Sequence, residues 1–166
     1  YYRNKGWEIM SDKLSFSIKD TQLPKRVDVP GYVNREDIQH EDVYKVYDQF
    51  ALVNHGAMIR QDLNWEEYWR WENEEERTAA IYYNREGEAQ GVCFYWIAEE
   101  VFHIKEMFYL NQEARQGLWN FVSAHFSMVD LVQGETFNSE PIAFLFDDSE
   151  IKETIDPYFM ARIVDV

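Results

Sequence analysis

The sequence predicts an α/β fold of the α+β kind: one mixed sheet flanked by helices, in the order β-α-α-β-β-β-α-β-α-β. Three observations predict it. Thr78–Tyr83, Gly91–Ala98 and Val101–Leu110 are apolar or alternating runs separated by short polar turns, as in an antiparallel meander. Asn111–Phe126 follows at once with helical periodicity, placing Ala114, Leu118, Phe121, Val122 and His125 on one stripe. Two helical segments precede the meander and a further strand, Val129–Phe137, follows the helix, which makes that helix a crossover within the sheet.

The chain opens on Tyr1-Tyr2-Arg3-Asn4-Lys5-Gly6-Trp7. Lys13–Asp20 then alternates Leu14, Phe16 and Ile18 against Lys13, Ser15, Ser17 and Lys19, the pattern of a half-buried antiparallel strand. Nothing before it can pair with it, so the chain is expected to begin inside another domain. Residues 1–22 are then that domain's terminal strand segment, and residues 23–30, with Pro24 and Pro30, are a linker. Residues 31–166 form the next, central domain.

Gly31–Arg35 is a short strand. Glu41–Asn54 is a helix with Val43, Val46, Tyr47 and Phe50 on one face. Glu41 and Asp42 sit in its first turn, where the helix dipole favours them, and Gly56 can take a left-handed cap. Asn64 is expected to cap a second helix over Trp65–Glu72, with Glu67 closing a capping box. Glu74-Glu75-Glu76 is a solvated charge run. Gly87 marks a hairpin turn, and Glu99-Glu100 a second tight turn. Between them, Val92-Cys93-Phe94-Tyr95-Trp96-Ile97 reads as a strand covered on both faces. Gly134 is expected to break Val129–Phe137. Asp147-Asp148-Ser149 is expected to cap a brief helix through Thr154, and Tyr158–Val166 to close the chain as a strand.

Composition excludes several function classes. Apolar residues make up 46% of the 166, so the chain can bury a core and is not disordered. No apolar run approaches the ~20 residues of a membrane-spanning helix, and no secretory leader is visible. A net charge of −15 argues against nucleic acid as a partner, because phosphate binding needs basic surface. The acidity has two readings: a solvated surface, or a face for a polycationic ligand. Cys93 is the one cysteine, so no internal disulfide and no cysteine-based metal site exist, which fits a reducing cytoplasm.

The joint between the third meander strand and its helix is where many α/β enzymes hold a phosphate. Such a site needs glycines, so that the backbone can approach the anion and present several N–H groups. Here the joint reads Leu110-Asn111-Gln112-Glu113-Ala114-Arg115-Gln116-Gly117-Leu118. The position three on from Gln112 is Arg115, and three on from Arg115 is Leu118. Glu113 adds a like charge, and Gly117 falls inside the helix.

The element order resembles that of the GNAT acetyltransferases, whose corresponding loop has the form Arg/Gln-x-x-Gly-x-Gly/Ala and cradles the pyrophosphate of acetyl-CoA. Tyr2-Arg3-Asn4-Lys5-Gly6-Trp7 resembles the Tyr-x-x-x-Gly-Phe/Tyr ending of a complete GNAT domain. Lys105-Glu106-Met107, Gly117-Leu118-Trp119 and Arg162-Ile163-Val164-Asp165-Val166 resemble stretches of the Eis-like (enhanced intracellular survival) acetyltransferases. Those proteins carry a catalytic GNAT domain, a central GNAT-like domain lacking the CoA loop, and a sterol-carrier-like domain. The resemblance implies an acetyl-CoA-dependent N-acetyltransferase acting on amines, aminoglycoside or lysine-like, in a homo-oligomer. It implies that acetyl-CoA is bound by the preceding domain. It also places Tyr2 at the catalytic position, as general acid beside the thioester sulfur, where a phenol is protonated at neutral pH. The family's base is the carboxyl terminus of the full-length protein, which Val166 is not. The alternative reading is a non-catalytic GNAT-like module for packing or oligomer assembly.

Other residues invite weaker readings. His40, His55, His103 and His125 show no metal-ligand spacing and are expected at surfaces or boundaries. Cys93 lies in an apolar strand, where its thiol stays neutral. Trp65, Trp69 and Trp71 can pack in a core or interface, or stack a sugar or base. Glu106 is expected on the same strand face as Phe102, Ile104, Phe108 and Leu110. A carboxylate there needs a partner: an arginine such as Arg60 or Arg115, or a substrate amine.

Overall fold

A computed structural model of the chain describes residues 1–54, 57–70, 77–137, 142–148 and 150–164. Among these, seven strands form one sheet: β1 (Glu8–Lys19), β2 (Tyr32–Glu36), β3 (Thr78–Tyr83), β4 (Ala89–Ala98), β5 (Val101–Tyr109), β6 (Leu131–Phe137) and β7 (Lys152–Ala161). The helices are α1 (Glu41–Val53), α2 (Asp62–Arg70) and α3 (Gln112–Ser123). The sheet order is β2-β3-β4-β5-β6-β1-β7. Every pairing is antiparallel except β5 with β6, the pair joined by the α3 crossover.

Two apolar layers sandwich the sheet. On one face α3 packs against Leu14, Phe16, Ile18, Tyr82, Tyr95 and Phe102. On the other, α1 and α2 pack against Ala79, Ile81, Val92, Phe94 and Phe108. Residues 92–95 are all buried, as a strand covered on both faces requires. The α1 cap is His40, whose Nδ1 accepts the Asp42 N–H at 3.2 Å. Asn111 caps α3 by accepting the Ala114 N–H at 2.9 Å.

The structure corrects several expectations. The partners of β1 lie within this chain: it is hydrogen-bonded to β6 on one side and to β7 on the other. It also starts earlier than its alternating pattern, at Glu8 rather than Lys13. The expected linker region is fastened along α3, where Asn120 donates to the Val27 carbonyl at 2.6 Å and accepts its N–H at 2.9 Å. Asn64 does not cap α2. It sits inside the helix, and its Oδ1 accepts the Gln61 N–H at 3.0 Å. Gly134 does not break β6. A Cβ there would lie 2.8 Å from both Ile104 and Phe16, so glycine permits close packing of three strands. The brief helix expected through Thr154 is absent among the described residues, since Lys152–Thr154 already belong to β7. Pairing with β1 outweighs the local turn signal there. β7 is an edge strand, and Pro157 sits beside the register shift opposite Asp12, where a missing N–H is tolerated. The predicted cap Gly56, and with it Trp71, Glu72 and Glu74-Glu75-Glu76, lies outside the described residues.

One correction bears directly on chemistry. The β4–β5 register shifts between Phe94↔Glu106 and Tyr95↔Ile104, a bulge at Lys105. A bulge reverses the side-chain alternation beyond it. Phe102 and Ile104 therefore face α3, whereas Glu106 and Phe108 face α1 and α2.

Candidate functional site

At the strand–helix joint, Asn111 and the first turn of α3 stand over the α3 face of β3 and β4. The Tyr82 hydroxyl donates to Glu113 Oε1 at 2.8 Å and accepts the Gly31 N–H at 3.0 Å. The Glu113 carboxylate thus lies where the helix dipole favours an anion, already hydrogen-bonded. Gly117 explains how Tyr82 fits, because any Cβ at this position would overlap the Tyr82 ring. Beyond Ile104↔Gly134 the β5–β6 ladder ends and the strands diverge. The wedge between them is filled. Trp119 packs edge-on against Phe146 at 5.6 Å and near Phe16 at 6.2 Å. The cavity left there is about 20 Å³, room for about one water.

Burial, with the hydrogen bond to Glu113 second, pushes the Tyr82 phenol from 10.0 up to about 12. The folded state therefore holds this proton more tightly than the unfolded chain does. Its stabilising contribution is complete below pH 10.0 and is lost as the pH rises through about 12. Tyr82→Phe is expected to unfold more easily at neutral pH, by about 1 kcal/mol for the lost hydrogen bond. Its stability should also fall less steeply in this alkaline window, as read by urea unfolding at a series of pH values. An unchanged alkaline slope would remove Tyr82 from this role. Tyr47, also pushed up to about 12 by burial, keeps part of the slope in the variant.

On the opposite face, the bulge directs Glu106 at Arg60. The pair is bidentate, with Nη1–Oε2 at 3.0 Å and Nη2–Oε1 at 3.1 Å, and Tyr68 donates to Oε2 at 2.6 Å. The Arg60 guanidinium is boxed by the rings of Tyr68, Tyr47 and Trp65 at 4.1, 4.2 and 4.8 Å. Burial works against its charge, but Glu106 more than restores it and the Arg60 pKa is raised. Burial and the Glu106 charge both push the Tyr68 phenol well up. Of the alternatives open for Glu106, the ion pair with Arg60 is the one formed. A substrate amine would have to displace a guanidinium held by two hydrogen bonds and three rings.

A family model for the acetyltransferase (GNAT) domain matches residues 56–163. This chain belongs to the GNAT acetyltransferase family. A conserved protein from Enterococcus faecalis V583, described as a probable N-acyltransferase, superposes with a TM-score of 0.83 at 30% identity over 98% of this chain. Eis1 from Mycobacterium abscessus superposes at 0.71 with 13% identity over 97%. A GCN5-related N-acetyltransferase from Anabaena variabilis ATCC 29413 superposes at 0.68 with 17% identity over 93%. The last two show the fold alone. The chain spans 42%, 44% and 41% of the lengths of these three proteins. No curated protein sequence matches it.

GNAT enzymes generally use acetyl-CoA, and the residues of this GNAT domain do not fit it at the joint. A carboxylate occupies the first turn of α3, no glycine precedes that turn from Asn111 on, and the adjoining wedge has no room for a pantetheine arm. Tyr2, the expected acid, lies in the N-terminal stretch, largely exposed, with its ring edge-on to Tyr1 at 5.7 Å. Its carbonyl accepts the N–H groups of Lys5 and Trp7.

The remaining residues sort themselves by burial. Trp65 and Trp69 are core residues, edge-on to Tyr47 at 5.0 Å and to Phe94 at 4.9 Å respectively, so neither is exposed to stack a sugar. Burial pushes the Cys93 thiol up strongly, which leaves it a neutral, unreactive core group. His125 is buried rather than at a surface or boundary, as its place on the apolar stripe of the predicted helix allows, and packs among Tyr95, Phe102 and Phe121. Its Nδ1 lies 2.8 Å from the Phe121 carbonyl and its Nε2 lies 3.3 Å from Arg35 Nη2. A carbonyl only accepts and a guanidinium only donates, so the proton belongs on Nδ1. His55 lies outside the described residues. No group of side chains among the described residues could hold a metal ion, and no described helix is long and apolar enough to cross a membrane.

Sequence reasoning missed Tyr82, Tyr68 and the bulge at Lys105. Tyr82 and Tyr68 read as ordinary apolar-run and helix residues, because only the tertiary fold brings their hydroxyls to Glu113 and Glu106. Glu99 and Glu100, both at positive φ (51° and 62°), mark the tight β4–β5 turn that the sequence did signal.

Proposed function

We propose that this chain is part of an acetyl-CoA-dependent N-acetyltransferase of the Eis-like kind, acting on an aminoglycoside or lysine-like amine. Residues 31–166 are its central, non-CoA-binding domain. Residues 1–22 follow in sequence from a preceding GNAT domain, with their strand β1 lying in the sheet of the central one, and 23–30 lead on to β2. Acetyl-CoA is bound by that preceding domain, Tyr2 is the general acid there, and the protein is a cytoplasmic homo-oligomer. The observation that carries this reading is the filled joint: a GNAT domain whose helix N-terminus and strand wedge are occupied by its own Glu113, Tyr82 and Trp119.

The test is a titration of acetyl-CoA against this chain and against the longer protein that contains it. Binding is expected only in the latter. Micromolar binding by this chain alone would overturn the reading of the joint. In the longer protein, Tyr2→Phe is expected to lower turnover about a hundredfold, as loss of a general acid does. Unchanged turnover would remove Tyr2 from that role.

A second reading, a non-catalytic module for packing or assembly, has one observation in its favour. Leu52, Val53, Met58, Ile59 and Leu63 are all largely exposed around the end of α1 and the start of α2. Failure of the longer protein to bind acetyl-CoA would favour it.

A further inference from the structure

Residues 23–30 form a strap across α3. They connect the short turn Asp20–Gln22 to β2, and they hold two prolines, Pro24 and Pro30. A proline has no N–H to give and biases the residue before it toward extended backbone, so the strap enters neither helix nor ladder. Both of its ends are tied down. The Asp20 N–H donates to the Asp130 carbonyl at 3.0 Å, and the Gln22 side chain donates to the Glu150 carbonyl at 2.9 Å. At the other end the Gly31 N–H donates to the Tyr82 hydroxyl at 3.0 Å, and a Cβ on Gly31 would overlap both that hydroxyl and the Tyr83 carbonyl.

Between the two prolines, the strap backbone is hydrogen-bonded at Val27 alone among the described residues. Asn120 Oδ1 accepts the Val27 N–H at 2.9 Å, and Asn120 Nδ2 donates to the Val27 carbonyl at 2.6 Å. The ion pair of Lys25 with Asp147, at 2.8 Å, is exposed at both ends and adds little. Leu23 and Val29 are half-buried and pack on the core. A groove of about 720 Å³ lies between the strap and α3, within the size range of small-molecule sites. Arg26 and Val29 wall it on the strap side, and Gly117, Asn120, Phe121 and Ala124 on the helix side. The strap thus rests partly on a cavity and not on packed side chains.

We propose that residues 23–30 are a lid on this groove, tethered at both ends and latched by Asn120. Opening breaks the two hydrogen bonds at Val27 and lifts Leu23 and Val29 off the core, while the sheet stays intact. Such an opening costs far less than global unfolding, because few apolar contacts and few hydrogen bonds are lost. The far tether is the Tyr82 hydroxyl, which itself donates to Glu113, so the lid and the joint share one hydrogen-bond chain. The inference is independent of the acetyl-transfer reading, since it uses only contacts within this chain.

The test is the rate at which iodoacetamide labels single thiols in this chain, from water up to urea concentrations well below the unfolding midpoint. Val29→Cys reports on the lid, Val27→Cys on a side chain already 44% exposed, and the buried Cys93 on global unfolding. Val29→Cys is expected to label more slowly than Val27→Cys. Its rate should be nearly flat in urea, since a local opening exposes little surface, while that of Cys93 rises steeply. Adding Asn120→Ala should speed the labelling of Val29→Cys about tenfold and keep it flat. Leu23→Cys repeats the measurement at the other half-buried strap residue should Val29→Cys fail to fold. Equal rates at positions 27 and 29 mean that the strap is not closed and overturn the lid. A urea dependence as steep as that of Cys93 means that the strap opens only with the whole fold and overturns it too. An unchanged rate with Asn120→Ala overturns the latch.

Discussion

Arg60→Ala is expected to lower the unfolding free energy by about 3–5 kcal/mol, the loss typical of breaking a buried ion pair from one side. Glu106 is mostly buried, with its side chain 13% exposed, and it would keep Tyr68 alone as a partner. The vacated guanidinium would also leave three aromatic rings without the group they enclose. Charge and shape separate in a double variant. Arg60→Met with Glu106→Met removes both charges and retains most of the volume, and it should recover most of the loss, because an apolar replacement avoids the desolvation cost of the pair. Urea unfolding of the two single variants and the double one gives the coupling directly. A loss below about 1 kcal/mol for Arg60→Ala, the range of exposed pairs, would show that the pair is not structural.

Phe16→Ala is expected to cost a similar amount, about 3–5 kcal/mol, as for truncation of a buried aromatic ring. Phe16 is 5% exposed and packs between the Trp119 ring and the backbone of Gly134. No neighbour can readily fill the space, because Gly134 has no side chain to move. At roughly 2–4 °C per kcal/mol for a domain of this size, the midpoint of thermal unfolding should fall by at least about 6 °C. Ser15→Ala, one residue away on the opposite face of β1, should stay within about 0.5 kcal/mol of the parent. Equal effects at the two positions would mean that β1 contributes pairing but not packing. The distinction matters for the fold. β1 joins β6 to β7, so weakening it exposes two strand edges at once.

The legible parts of this protein share a physical cause. The boundaries of β3 match the predicted ones, and those of α1 and β5 agree within a residue, because local hydrophobic period and turn chemistry dominate there. The missing glycines of the joint are themselves a sequence fact: Arg115 and Leu118 stand where an anion cradle needs glycines, and a missing glycine is a local property. The prediction for Glu106 had the right chemistry and the wrong geometry. Its need for a partner follows from burial, and Arg60 is one of the two arginines expected. Its face was misassigned because period-two alternation carries through a strand only when no bulge intervenes. The helix expected before β7 failed for another reason, since a strand pairing with β1 depends on residues well over a hundred positions away.

The joint now has a sharper description. The amino-acid sequence alone determined that Leu110–Trp119 forms a strand–helix junction and that this junction lacks the glycines of an anion cradle. It also determined the mixed α/β class and the half-buried character of β1, since each follows from local side-chain periodicity and backbone freedom. Only the tertiary structure decided what fills the junction: the Tyr82 hydroxyl on Glu113, the Tyr82 ring against Gly117, and Trp119 in the wedge between β5 and β6. Only the tertiary structure placed β1 between β6 and β7 and turned Glu106 toward Arg60. These outcomes depend on contacts between residues distant in the chain, whose relative positions the sheet sets and no local pattern encodes.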